Sequence, residues 1–143
     1  MIQETELPRT VKTFEIGQKA SFSKTITEAD VVAFAGVSGD FNPLHIVEDY
    51  AKTTMFGQRI AHGMLTASLI STVLGMILPG PGCVYLSQSV KFVKPVHIGD
   101  TLTATVEVTE WAQDRAILKL SNQITNQNDD IVITGESVTL VRD

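Results

Sequence analysis

The sequence holds one cysteine, so Cys83 has no partner within the chain and no disulfide framework supports the fold. A reducing compartment is therefore expected. With three histidines and that cysteine, no ligand spacing of a zinc site occurs. Basic clusters are missing as well. The 11 Lys and Arg are scattered among 16 Asp and Glu, for a net charge of −5, which argues against a nucleic-acid partner. Long apolar runs are also absent: the longest, residues 64–78, is shorter than the roughly 20 residues of a membrane span. It is interrupted by Thr66, Ser68, Ser71 and Thr72. The first residues, Met1-Ile2-Gln3-Glu4-Thr5-Glu6, lack the basic start and apolar core of a secretory signal. The expectation is a cytoplasmic protein that does not enter membranes.

A chain of 143 residues suits a single domain spanning 1–143, large enough to bury about two thirds of the surface its unfolded form exposes. Residues up to about 17 read as an arm. Residues 18–26 have the Ser, Thr and Lys content of a half-solvated strand, with Phe22 and Ile26 as apolar points. Thr27 is placed to cap a helix over 28–36 whose first turn is acidic, matching the positive end of the helix dipole. A short helix over 47–53 is expected to turn Tyr50 and Ala51 inward. A longer one over 62–78 carries apolar residues on more than one face, as in a helix surrounded by other structure. Leu78-Pro79-Gly80-Pro81-Gly82 ends it. Alternation then predicts four strands, over 84–93, 101–109, 116–125 and 131–141, read as one meander. The fold class is α+β, with a curved antiparallel sheet curled around the long helix.

The chemistry concentrates in Val37-Ser38-Gly39-Asp40-Phe41-Asn42-Pro43-Leu44-His45. Pro43 lacks an N–H and drives Asn42 towards extended backbone, while Gly39 permits a sharp exit from the preceding helix. The stretch reads as a rigid loop that aims a carboxylate, ordinarily titrating near pH 3.9, and an imidazole, near 6.5, at one small volume. Asp40 and His45 make a candidate acid/base pair. Asp and Asn are also ordinary turn residues, and that plainer reading stands beside the catalytic one. Asp40, His45 and His62 together contain the donor types of a metal site, a minor reading without supporting ligand spacing. His62 itself reads as a capping or packing residue, and His97 as structural or exposed.

Ser38-Gly39-Asp40-Phe41-Asn42-Pro43-Leu44-His45, then Ile60-Ala61-His62-Gly63-Met64-Leu65, then Val90-Lys91-Phe92-Val93-Lys94-Pro95-Val96 resemble, in this order, the motifs of the MaoC-like hydratases. The likeness extends over about 16–141 and is closest to the short, single-domain (R)-specific enoyl-CoA hydratases that supply polyhydroxyalkanoate synthesis. It implies a hot-dog fold, a homodimer with a continuous sheet, and reversible hydration of a trans-2-enoyl-CoA to the (R)-3-hydroxyacyl-CoA without cofactor or metal. By position in the motif, Asp40 and His45 are the catalytic pair, and Gly63 supplies the backbone N–H that binds the thioester carbonyl. Asn42 is the amide of the same loop. Ser71 and Leu74 match helix positions near the acyl chain.

Adding water at C3 of an enoyl thioester requires a base for water, a proton for C2 and a donor for the charged thioester oxygen. Gly63, at the start of a helix, has the unpartnered N–H for the last role. Arg59, Lys91 and Lys94 are candidates for the CoA phosphates, each set against a plain solvated charge. A 3-hydroxyacyl-[acyl carrier protein] dehydratase would use the same residues and is the runner-up. A hot-dog thioesterase and a non-catalytic acyl-CoA-binding domain are the further alternatives.

Overall fold

The structure, a computed structural model, describes residues 12–142; the expected N-terminal arm lies largely outside them. Strand β1 (Lys19–Thr25) leads to helix α1 (Glu28–Ser38), two single-turn helices, α2 (Pro43–Ile46) and α3 (Glu48–Ala51), and the long helix α4 (Gly63–Met76). Strands β2 (Cys83–Phe92), β3 (Thr101–Ala112), β4 (Ile117–Thr125) and β5 (Ile131–Val141) follow. All five strands form one antiparallel sheet in the order β1-β3-β4-β5-β2. Only β3, β4 and β5 are a meander. The expected fourth member, β2, crosses to the far side and pairs with β5, because sequence neighbours need not be sheet neighbours once a loop spans the gap.

The sheet encloses α4 through period-2 burial. Leu102, Ala104, Val106 and Val108 of β3, and Leu118, Leu120 and Ile124 of β4, are essentially inaccessible. Facing them, α4 buries Thr66, Leu69, Ile70, Val73 and Leu74, an i, i+3, i+4, i+7, i+8 stripe. Leu65 and Ala67 pack half-buried on the flanks of this stripe, as expected of a helix with apolar residues on more than one face, but the packing does not close around it: Met64, Met76 and Ile77 are exposed. On the solvent face of the first strand pair, Ser21–Thr105, Ser23–Thr103 and Thr25–Thr101 join their hydroxyls at 2.7–2.8 Å.

The helical segment is fixed by local polar ties. Thr27 caps α1 in a reciprocal capping box, its hydroxyl accepting from the Asp30 N–H while the Asp30 carboxylate accepts from the Thr27 N–H. Val31 and Ala35 bury the inner face of α1. Gly39 ends that helix at φ 78°, a left-handed conformation suited to glycine, so the chain turns sharply into Asp40. In α3, Ala51 is buried but Tyr50 is exposed, contrary to expectation; two adjacent residues on a single turn cannot both face the core. Ala61 N–H donates to the Val96 carbonyl at 2.8 Å, tying the approach to α4 to the loop after β2.

Candidate active site

The loop between α1 and α2 organises itself. Ser38 Oγ donates to the Phe34 carbonyl and accepts from the Asp40 N–H. Asp40 Oδ1 accepts from the Asn42 N–H at 3.1 Å, and Asn42 Oδ1 accepts from the Leu44 N–H at 3.1 Å, capping α2. Pro43 occupies the first turn of α2, where its missing N–H costs nothing. The expected rigid loop is therefore shorter than its motif: residues 37–38 close α1, and His45 rides on α2.

His45 is buried, and its Nδ1–H donates to the Ile60 carbonyl at 2.7 Å, which leaves Nε2 as the free ring nitrogen of the neutral imidazole. His62 lies against it, ring centroids 4.0 Å apart, and packs on its other flank against Phe34 at 4.8 Å. Its Nε2–H donates to the Asp40 carbonyl at 2.9 Å. His62 is the N-cap residue of α4 by position but makes no side-chain cap bond; of the two expected roles, packing is the observed one. A carboxylate oxygen of Asp40 and a ring nitrogen of each histidine lie within 4.8 Å of one another. The two rings are tilted by 31° to one another, and each donates from one nitrogen to a carbonyl, which leaves each with one further ring nitrogen.

Asp40, His45 and Gly63 border one cavity of about 620 Å³, completed by Phe56, Met64, Phe92 and the 93–96 loop. Asp40 is exposed at its wall while His45 sits deeper. Gly63 is the first residue of α4, among the N–H groups that lack a partner inside the helix. A Cβ at this position would lie 2.6 Å from the Phe92 ring, so only glycine leaves that ring where it is.

The other residues singled out from sequence are distributed differently. Asn42 is exposed, its side-chain oxygen engaged in the cap. Ser71 opens onto a separate groove of about 360 Å³ between α4 and β2, and Leu74 is buried in the core. Met64 borders both spaces. Lys94 stands at the cavity wall 3.4 Å from Asp130, and Lys91 is exposed. Arg59 is not a solvated charge: it bonds to Glu28 and to the His45 carbonyl. Neither that pairing nor the His62–Asp40 bond is visible in the sequence, since the partners lie 31, 14 and 22 residues apart. The Pro43-fixed loop and the Ile60-Ala61-His62-Gly63 turn were the available signals that two segments converge.

Comparison with known proteins agrees with this architecture. An (R)-specific enoyl-CoA hydratase of Rhodospirillum rubrum is 52% identical over 125 residues, covering 87% of this chain and 86% of the relative. The solved (R)-hydratase of Aeromonas caviae, described as involved in PHA biosynthesis, superposes with a TM-score of 0.87 at 48% identity, over 91% of this chain and 98% of that one. A mitochondrial 3-hydroxyacyl-[acyl-carrier-protein] dehydratase of Arabidopsis thaliana is 32% identical over 130 residues, 89% of this chain and 77% of the relative. With the model of the MaoC like domain matching residues 11–130 as well, the chain belongs to the MaoC-like family and has its hot-dog fold.

Proposed function

We propose that this chain is a hydro-lyase that reversibly adds water to trans-2-enoyl-CoA, giving (R)-3-hydroxyacyl-CoA, with Asp40 and His45 as its acid/base pair. The observation that carries the reading is the meeting of Asp40, His45 and the α4 N-terminus on one cavity wall. A separation of up to 4.8 Å between carboxylate oxygen and ring nitrogen is one that a single water bridges with two hydrogen bonds of about 2.8 Å. In this mechanism Asp40 takes one proton of that water and His45 Nε2 accepts a hydrogen bond from the other. The hydroxide adds to C3, charge builds on the thioester oxygen facing the Gly63 N–H, and the proton held by Asp40 is returned to C2. Preorganised donors of this kind are typically worth about 2.7–4 kcal/mol in the transition state.

The acyl chain runs past Met64, shared by cavity and groove, towards Ser71, with Leu74 in the core one helical turn further along. Ser71→Phe is then expected to depress turnover of long acyl chains more than of short ones. Asn42 retains its Nδ2 donors for the substrate. Edge strand β2 exposes Val84, Leu86 and Phe92, which supports pairing with the same edge of a second copy in a homodimer; sedimentation should give twice the chain mass. Among the described residues no helix is long and apolar enough to cross a membrane, and a cytoplasmic location is part of the same proposal.

Loss of enoyl-thioester absorbance with crotonyl-CoA, together with the chirality of the product, tests the reaction. The 32% identity to an acyl-carrier-protein dehydratase supports one second reading, the same chemistry on a carrier protein, and assay of both thioesters separates them. Turnover of neither overturns both.

A further inference from the structure

We propose that Arg59 is a positioning residue for His45, acting with Glu28 as a clamp between α1 and the catalytic turn; the assignment rests on the catalytic reading of His45. His45 is held by two consecutive residues of one segment. Arg59 Nε–H donates to its backbone carbonyl at 2.6 Å, and the Ile60 carbonyl accepts from its ring Nδ1–H at 2.7 Å. Both ends of the residue are thus referred to the same stretch of chain. The His45 carbonyl lies at the C-terminal end of the four-residue α2, where carbonyls have no intrahelical partner and carry the negative end of the dipole. A guanidinium answers both.

The guanidinium is aimed in turn by Glu28, whose two carboxylate oxygens accept from Nη1 and Nη2 at 2.9 Å each. Arg59 is 14% exposed and Glu28 58%, so the tie runs from a solvated carboxylate at the start of α1 inward to a buried turn. A surface ion pair alone contributes little to stability. This one fixes a direction. Of the basic side chains, only Arg has the forked geometry that binds a carboxylate bidentately while offering a third N–H to a carbonyl; the three donors of a lysine radiate from one nitrogen and cannot match two parallel carboxylate oxygens. With the clamp gone, α2 is free to slide relative to 59–60, and displacements of about 1 Å at a reacting group cost up to a hundredfold in rate.

The test compares Arg59→Gln, Arg59→Lys and Glu28→Gln in hydration kinetics, thermal melting and ¹⁵N spectra of the imidazoles, of which the chain has three. Arg59→Gln should lower kcat about 10- to 100-fold with KM changed less than about twofold and with little change in Tm. In the same variant His45 should pass from a pure Nδ1–H tautomer to a mixture, which a purely structural role elsewhere would not produce. Arg59→Lys should recover part of kcat. Glu28→Gln should cost about two- to threefold and nothing further in the Arg59→Gln background. An Arg59→Gln enzyme with wild-type kcat, a loss in KM alone, or an unchanged His45 tautomer would overturn the clamp. Failure of wild-type protein to hydrate any enoyl thioester would instead overturn the parent reading, with the tautomer deciding the clamp separately.

Discussion

The β3-β4-β5 sector and the segment from Thr27 to Gly63 are held together in opposite ways. In the sheet, stability comes from many apolar side chains of similar kind: Val106, Leu118, Leu120 and Ile124 each exclude water, and none has a partner that only it can satisfy. In the helical segment the ties are individual polar bonds, paired between Thr27 and Asp30 and between Arg59 and Glu28 and single from Asp40 to Asn42 and from His45 to Ile60. The first arrangement resists perturbation but aims nothing. The second aims each group individually. Substitutions in the sheet should therefore appear as stability changes, and those of segment residues that border the cavity as activity changes in a folded protein.

The sharpest test of that division is Asp40→Asn, which keeps an acceptor for the Asn42 N–H but removes the proposed base. Turnover of crotonyl-CoA should fall by about 10²–10⁴ while Tm stays near wild type; a large drop in Tm would show the two regions to be less separate than described. The converse is Leu120→Ala, expected to lower unfolding free energy by about 2–5 kcal/mol in denaturant melts, with the surviving folded fraction fully active. Gly63→Ala sits at the border of the regions. Its Cβ displaces the Phe92 ring, and turnover should fall about tenfold, part of which Phe92→Ala should restore by making room. Thr27→Ala should cost about 1 kcal/mol of stability by opening the capping box, with little effect on KM. The smallest effect is a pH dependence. The Lys24 ammonium, helped by the Thr27 N–H, holds the Asp30 carboxyl below its usual range. The stability it adds is present above the ordinary carboxylate range near pH 4 and fades as pH falls through the lowered value. Asp30→Asn should flatten that acid limb.

The same contrast explains what could be read from the chain alone. Asp40 and His45 were legible because five positions and one proline confine them, and Gly63 because a helix start announces itself in sequence. The strand ranges followed from alternation. What escaped was the choice of partner and of face: the passage of β2 to the side of β5, the open face of α4, the exposure of Tyr50, and the bonds from His62 to Asp40 and from Arg59 to Glu28. Periodicity states that a residue is buried or that a backbone turns. It does not state which partner, dozens of residues away, will supply a hydrogen bond.

Strand order also bears on how the molecule comes into being. Hydroxyl pairs between β1 and β3 join residues 76 to 84 positions apart, and the pairing of β2 with β5 reaches across 41 (Phe92 with Ile133) to 58 (Cys83 with Val141), whereas the meander closes over short turns. Loop-closure entropy delays the distant pairings, so β3, β4 and β5 should assemble before β1 and β2 join them. The cavity is bounded by Phe92 and the 93–96 loop, and so belongs to the late stage. In a refolding experiment the sheet's circular dichroism should return ahead of hydratase activity, the active site being the last thing the chain completes.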